Sequence, residues 1–238
     1  MKKRGQVTLF IIIAVVIIAI VLLLVFLRPT FFKRTNNIPE VTEINDHVHS
    51  CLKETTDKGI TFLSMRGGYF TLPENNIIFN LTGAPYYYNQ SILIPTKEKI
   101  EFELADFILF RIKDCINLSE KNYSIQTGEM NAAVTLKDSL KIILTYPINL
   151  ELGDSSYYLN SFSYETKTPL NLLYESAILI TEKAELNQSV PLSLSSSLAN
   201  ENNFSVDIQT WPEQTYLFLL TKQINQEQNL TFRFAIRI

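Results

Sequence analysis

The chain is poor in the side chains that most enzymes use. Its 238 residues include two His, two Cys, one Trp and seven Gly. With so few His, any general-base chemistry would fall to carboxylates. No H-E-x-x-H, G-x-S-x-G, Walker or Rossmann pattern occurs, so the corresponding hydrolase, nucleotide and dinucleotide classes lack their signatures. Ser50-Cys51-Leu52-Lys53 spells S-x-x-K, but the S-D-N and K-T-G elements that accompany it in penicillin-binding enzymes are missing. His47 and Cys51 stand i, i+4 on a predicted helix and share a face, while His49 points elsewhere. Two ligands do not make a structural zinc site. Asp and Glu are scattered, with no pair marked by spacing. The expectation is no catalytic residue, no metal and no cofactor.

Charge is also missing where it would matter. Residues 1–34 carry six Lys or Arg and no acid, and the rest carries 15 basic against 24 acidic residues, a balance of −9. A domain this acidic lacks the clustered Lys and Arg that phosphates require, so nucleic acid is not an expected partner.

Residues 7–27, VTLFIIIAVVIIAIVLLLVFL, are 21 residues without a charge, and 18 of them are Leu, Ile, Val or Phe. As a helix they would reach about 31 Å, enough for a hydrocarbon core. The run is longer than a signal-peptide core and no A-x-A-like site follows it. The expectation is a membrane anchor over 7–28. Pro29 ends it, and Phe31, Phe32, Lys33 and Arg34 form an interfacial collar over 29–38. Membrane lipid is thus an expected partner.

Three basic residues flank each end of the run, so charge does not decide which side the domain occupies. Two other signals place it outside the cytoplasm. N-x-S/T occurs at Asn80, Asn89, Asn117, Asn122, Asn187, Asn203 and Asn229. Nineteen Asn would yield about three such sites by chance, and glycans are added outside the cytoplasm. The bland alternative is that an Asn- and Ser-rich chain makes sequons for free. Cys51 and Cys115 are the second signal, an even count that suits a disulfide in an exported domain. Two buried free thiols are the alternative.

Beyond the collar, apolar residues recur at three and four over 40–66, which predicts an amphipathic helix stopped by Gly67-Gly68. Pro95-Thr96 opens a second helix with the stripe Ile100, Leu104, Phe107, Ile108, Ile112 and Cys115. Both cysteines therefore face the core. From Tyr123 the period turns to two, with a hairpin about Lys137-Asp138-Ser139 and a long strand over 140–152. Residues 168–186 suggest a third helix and 191–199 a short one. The end returns to strands over 204–208, 215–222 and 230–236. The expected fold class is α+β: one N-terminal transmembrane helix, then an extracytoplasmic domain over 39–238 with antiparallel sheet and two to three helices. Tyr86-Tyr87-Tyr88, Tyr157-Tyr158 and Trp211 read first as half-buried strand aromatics, and second as a sugar or protein contact.

The leader over 1–6 adds a resemblance. Lys2-Lys3-Arg4-Gly5-Gln6 before the apolar run resembles the class III signal peptide of archaeal prepilins and other archaeal type IV pilin-like proteins. In that family a peptidase cuts after the Gly, which implies cleavage at Gly5–Gln6 and a mature chain beginning at Gln6. The resemblance covers about the first 30 residues. It implies a secreted, filament-forming or filament-associated subunit whose partners are other pilin-like subunits or cell-envelope proteins, with self-association into a homo-oligomer. The family commonly has Glu at the fifth mature position, where this chain has Phe10. That leaves the terminal amine without a carboxylate partner, which argues against a major pilin and leaves a minor pilin or a pilin-like surface protein. A plain uncut anchor is the alternative. The expected function is a membrane-anchored, extracytoplasmic structural or adhesive surface protein. The alternatives are an anchored binding protein that does not polymerise and an anchored carboxylate-based hydrolase.

Overall fold

The computed structural model describes residues 17, 38–79, 82–118, 124–225 and 228–238. The chain divides into two units, Met1–Thr42 and Glu43–Ile238. The helices of the second unit are α1 (Pro39–Ser64, whose first residues belong to the first unit), α2 (Lys97–Cys115), α3 (Leu170–Asn187) and α4 (Leu192–Asn202). Its strands are β1 (Asn76–Phe79), β2 (Thr82–Asn89), β3 (Ser124–Thr127), β4 (Asn131–Leu136), β5 (Leu140–Leu152), β6 (Ser155–Thr166), β7 (Ser205–Trp211), β8 (Thr215–Gln223) and β9 (Asn229–Arg237).

Local chemistry sets the helix ends. Gly67 and Gly68 take positive φ, and the Gly68 N–H donates to the Leu63 carbonyl at 2.7 Å, closing α1 in a left-handed cap. Thr96 caps α2, its hydroxyl accepting from the Lys99 N–H at 3.2 Å.

The strands form two sheets. The first runs β1-β2-β9-β8-β7. Its centre is aromatic: Phe218 stacks on its cross-strand partner Phe234 at 5.0 Å, and Tyr87 meets Phe234 at 4.9 Å. Helix α3 covers this face through Leu173, Tyr174, Ala177 and Ile180, all buried. Burial pushes the Tyr174 hydroxyl up to about 12, and that hydroxyl donates to the Pro95 carbonyl at 2.6 Å.

The second sheet is built on β5, with β6 along one edge and β3 and β4 in succession along the other. Pro147 explains the succession. It has no N–H to donate, the β5–β6 register shifts between Thr145 and Ile148, and Gly128, between β3 and β4, donates to the Pro147 carbonyl at 2.8 Å. Alternate residues Leu140, Ile142, Leu144, Tyr146, Ile148 and Leu150 face inward and are buried. The His49 ring of α1 stands edge-on to Phe162 of this sheet at 5.6 Å.

Three parts of the expected fold class are corrected. First, the five-stranded sheet is mixed: β2 and β9 pair in parallel, while the second sheet is antiparallel throughout. The chain leaves β2 at Asn89 and returns as β9 at Asn229, a non-local pairing that hairpin signals cannot register. Second, the described residues hold four helices, because 191–199 does form α4. Third, among the described residues no helix is long and apolar enough to cross a membrane. At 26 residues α1 has the length, but Glu40, Glu43, Asp46, Lys53, Glu54, Asp57 and Lys58 give it a charged face. The expected anchor over 7–28 and the collar over 29–38 lie outside the described residues except for Ile17 and Ile38.

Candidate functional site

Helices α1 and α2 are held together covalently and by close packing. Cys51 and Cys115 form a disulfide with Cα atoms 5.7 Å apart. Two turns along α1, Gly59 lets the helices approach: a Cβ there would meet Leu104 Cδ1 at 2.7 Å and Phe107 Cδ1 at 2.9 Å.

Beyond this contact the two helices and the segment after α1 carry an aromatic cluster that runs from buried Phe107 through half-buried Phe62 and Phe70 to the surface. Phe107 lies 5.3 Å from Phe62 and 5.5 Å from Phe70, and Phe70 lies 5.8 Å from Phe110. Phe110 is 62% exposed, and Phe102 on the same helix is 58% exposed. The cluster lines a groove of about 550 Å³ whose other walls are Glu54, Lys58, Arg111 and Asp114. These charges pair along the rim, Lys58 with Glu54 at 2.6 Å and Arg111 with Asp114 at 3.6 Å. The hydrogen bond and charge of Lys58 hold the Glu54 carboxyl below its ordinary range. On the far side of Phe62 a second groove of about 320 Å³ is lined by Met65, Arg66, Leu72 and Ile78, the last 74% exposed. The Arg66 guanidinium lies 4.9 Å over the Phe62 ring.

Glu103 positions the segment that carries Phe70. Its buried carboxylate accepts from the Phe70 N–H at 2.8 Å and the Thr71 N–H at 3.3 Å, and pairs with Lys99 at 2.8 Å. An apolar floor inside a rim of paired charges is an arrangement that protein contact surfaces share. The arrangement holds no evident nucleophile–base pair.

The residues singled out from the sequence are scattered over the domain. Gly5, Gln6, Asn80 and Asn122 lie outside the described residues. Asn117, Asn187, Asn203 and Asn229 are exposed, and Asn89 is half-buried at the end of β2. Asn203 is the left-handed cap of α4. His47 Nε2 sits 4.0 Å from Cys51 Sγ, but that sulfur is committed to the bridge and is no thiolate ligand. Tyr86, Tyr87 and Tyr88 are buried rather than offered to a ligand. The Tyr87 hydroxyl donates to the Gly67 carbonyl at 3.1 Å, and Tyr86 accepts from Arg237 at 3.0 Å.

The Phe groove was missed from the sequence. Its signal is that Phe110 falls off the apolar stripe of α2, so the helix cannot bury it in its own core. No protein family, curated protein or solved structure matches this chain.

Proposed function

We propose that this chain is an exported surface protein of pilin-like type, structural or adhesive rather than catalytic. Its contact surface is the Phe62–Phe70–Phe107–Phe110 groove. The observation that carries this reading is an aromatic groove beside two helices joined by a disulfide, with Phe107 buried at its floor, Phe62 and Phe70 half-buried in its walls and Phe110 exposed at its edge. Isolated exposed apolar side chains are ordinary, but a contiguous patch rimmed by polar groups marks an interaction site. The disulfide supports an oxidising compartment. The basic leader ending at Gly5-Gln6 supports prepilin-type processing, and the seven sequons support export. The partner is another pilin-like subunit or a cell-envelope protein that fills the groove with apolar side chains.

A second reading is a surface binding protein that does not polymerise. Phe10, where the family commonly has Glu, favours it. N-terminal sequencing of native protein tests the processing. A chain starting at Gln6 is expected, and an intact Met1 refutes it. Phe110→Asp tests the surface. Association with the cell envelope should fall at least tenfold while the unfolding midpoint stays within about 2 °C, because Phe110 is mostly exposed. Unchanged association removes the groove from the reading.

A further inference from the structure

Between α1, the end of β6 and the turn from β8 to β9 lies a second kind of groove, polar and about 520 Å³ in volume. Lys53 and Asp57 line it from α1, Tyr164 and Lys167 from β6 and the residues after it. The Tyr164 hydroxyl donates to Asp57 Oδ1 at 3.3 Å, which fixes the tyrosine ring in the wall. At the ends of the turn the Ile224 N–H donates to the Gln228 carbonyl at 2.9 Å, and the Gln228 N–H donates to Asn225 Oδ1 at 3.0 Å.

The next residue, Asn229, is exposed and lines the same groove, and its carboxamide makes no hydrogen bond among the described residues. It begins the sequon Asn229-Leu230-Thr231. Leu230 is buried in the core, and the Thr231 hydroxyl is bonded to that of Thr221 at 3.0 Å. Asn229 is therefore the member of the sequon left at the surface, and it stands at a cavity.

We propose that Asn229 carries an oligosaccharide whose first sugars lie in this groove against Tyr164. The inference rests on the export reading above. The sugar arrives activated on a lipid phosphate. A bond forms between Asn229 Nδ2 and the anomeric carbon, the anomeric carbon–phosphate oxygen bond breaks, the lipid phosphate leaves and Nδ2 loses one proton. A sugar presents C–H faces and hydroxyl edges. The tyrosine ring suits the first, and the Lys53 and Lys167 ammonium groups with the Thr166 and Thr168 hydroxyls suit the second. The volume falls in the range of about 300–1,000 Å³ common to small-molecule sites. In this position the glycan ties α1 to the β8–β9 turn.

The test uses full-length protein purified from its native cells. Glycopeptide mass spectrometry reads occupancy at each sequon, and hydrogen exchange compares the native protein with Asn229→Gln and with Tyr164→Phe, which keeps the ring, and Tyr164→Ala, which removes it. The expected result is an occupied Asn229, with exchange at 53–61 and 164–168 at least threefold slower in the native protein than in Asn229→Gln. Tyr164→Phe should keep that protection and Tyr164→Ala should lose it with the glycan still attached. Occupied Asn117, Asn187 or Asn203 beside an unmodified Asn229 overturns the proposal and leaves export standing. An occupied Asn229 with equal exchange in Asn229→Gln overturns the groove placement. A chain without sugar at any sequon overturns the proposal, and a domain that protease cuts only after the same cells are lysed shows that the export reading has failed with it.

Discussion

Replacing Cys51 and Cys115 together by Ala removes the bridge and leaves both helices otherwise intact. The closed loop spans 64 residues. In the chain-entropy account, freeing a loop of that length gives the unfolded chain about 14 cal/mol/K, or about 4 kcal/mol at 25 °C. Cys51 is 1% exposed, so truncating its sulfur costs roughly a further 1 kcal/mol in lost packing. A domain of this size shifts by about 2–4 °C per kcal/mol, so the unfolding midpoint should fall by about 10–20 °C. Calorimetry and urea titration of native and double-variant protein, with and without a reductant, give the number. Reductant should move the native protein towards the variant and leave the variant unmoved. A loss under about 1 kcal/mol would refute the reasoning, because it would mean that α1 and α2 hold their place without the covalent link.

The same geometry sets three further outcomes. Gly59→Leu must displace the Leu104 and Phe107 side chains that crowd that position, and should cost about 3 kcal/mol by urea titration; a neutral effect would show that the helices are farther apart. Glu103→Ala removes the acceptor for two backbone N–H groups and the partner of Lys99. A loss of about 2–3 kcal/mol and faster proteolysis between 69 and 75 are expected, and unchanged proteolysis there would contradict the anchoring role. Partial burial pushes the Asp57 carboxyl up, against the opposing hydrogen bond from Tyr164 and the charge of Lys53. A carboxyl raised in the folded state favours folding fully below its unfolded value of 3.8, and that contribution is lost as pH rises through the folded value. Asp57→Asn should therefore gain stability relative to the native protein between pH 3 and pH 7, and a flat difference across that range would refute the shift.

Much of the domain was legible locally. The stripe in α1 ends at Gly67-Gly68 because only a left-handed cap closes that helix, and α2 begins at Thr96 because a hydroxyl accepts the orphan N–H. The hairpin between β4 and β5 follows from alternation on both sides of a polar turn. The disulfide suggested by the even cysteine count is formed, although only Cys51 is buried and Cys115 is half-buried at the end of α2. The parallel β2–β9 pair was not legible, since residues 90–228 lie between the two strands and no local pattern encodes the partner of a strand. The break of β3 from β4 rests on one residue, Pro147, whose missing N–H matters only once the neighbouring strand is known. The aromatic groove escaped because it is made from α1, α2 and the segment between them. Its warning was Phe110 on the polar side of an amphipathic helix, which a stripe analysis passes over. The tyrosine triplet reads first as strand aromatics, and β2 holds it so, though the three are fully rather than half buried, on both faces of a sheet covered by α3 and by Leu93 and Leu219.

The central claim is that this folded domain works outside the cytoplasm. Protease added to unbroken cells tests it most directly, with antibody detection of residues 40–238. The domain should be cut in unbroken cells as readily as in lysed ones. A domain untouched in unbroken cells and digested after lysis would contradict the claim.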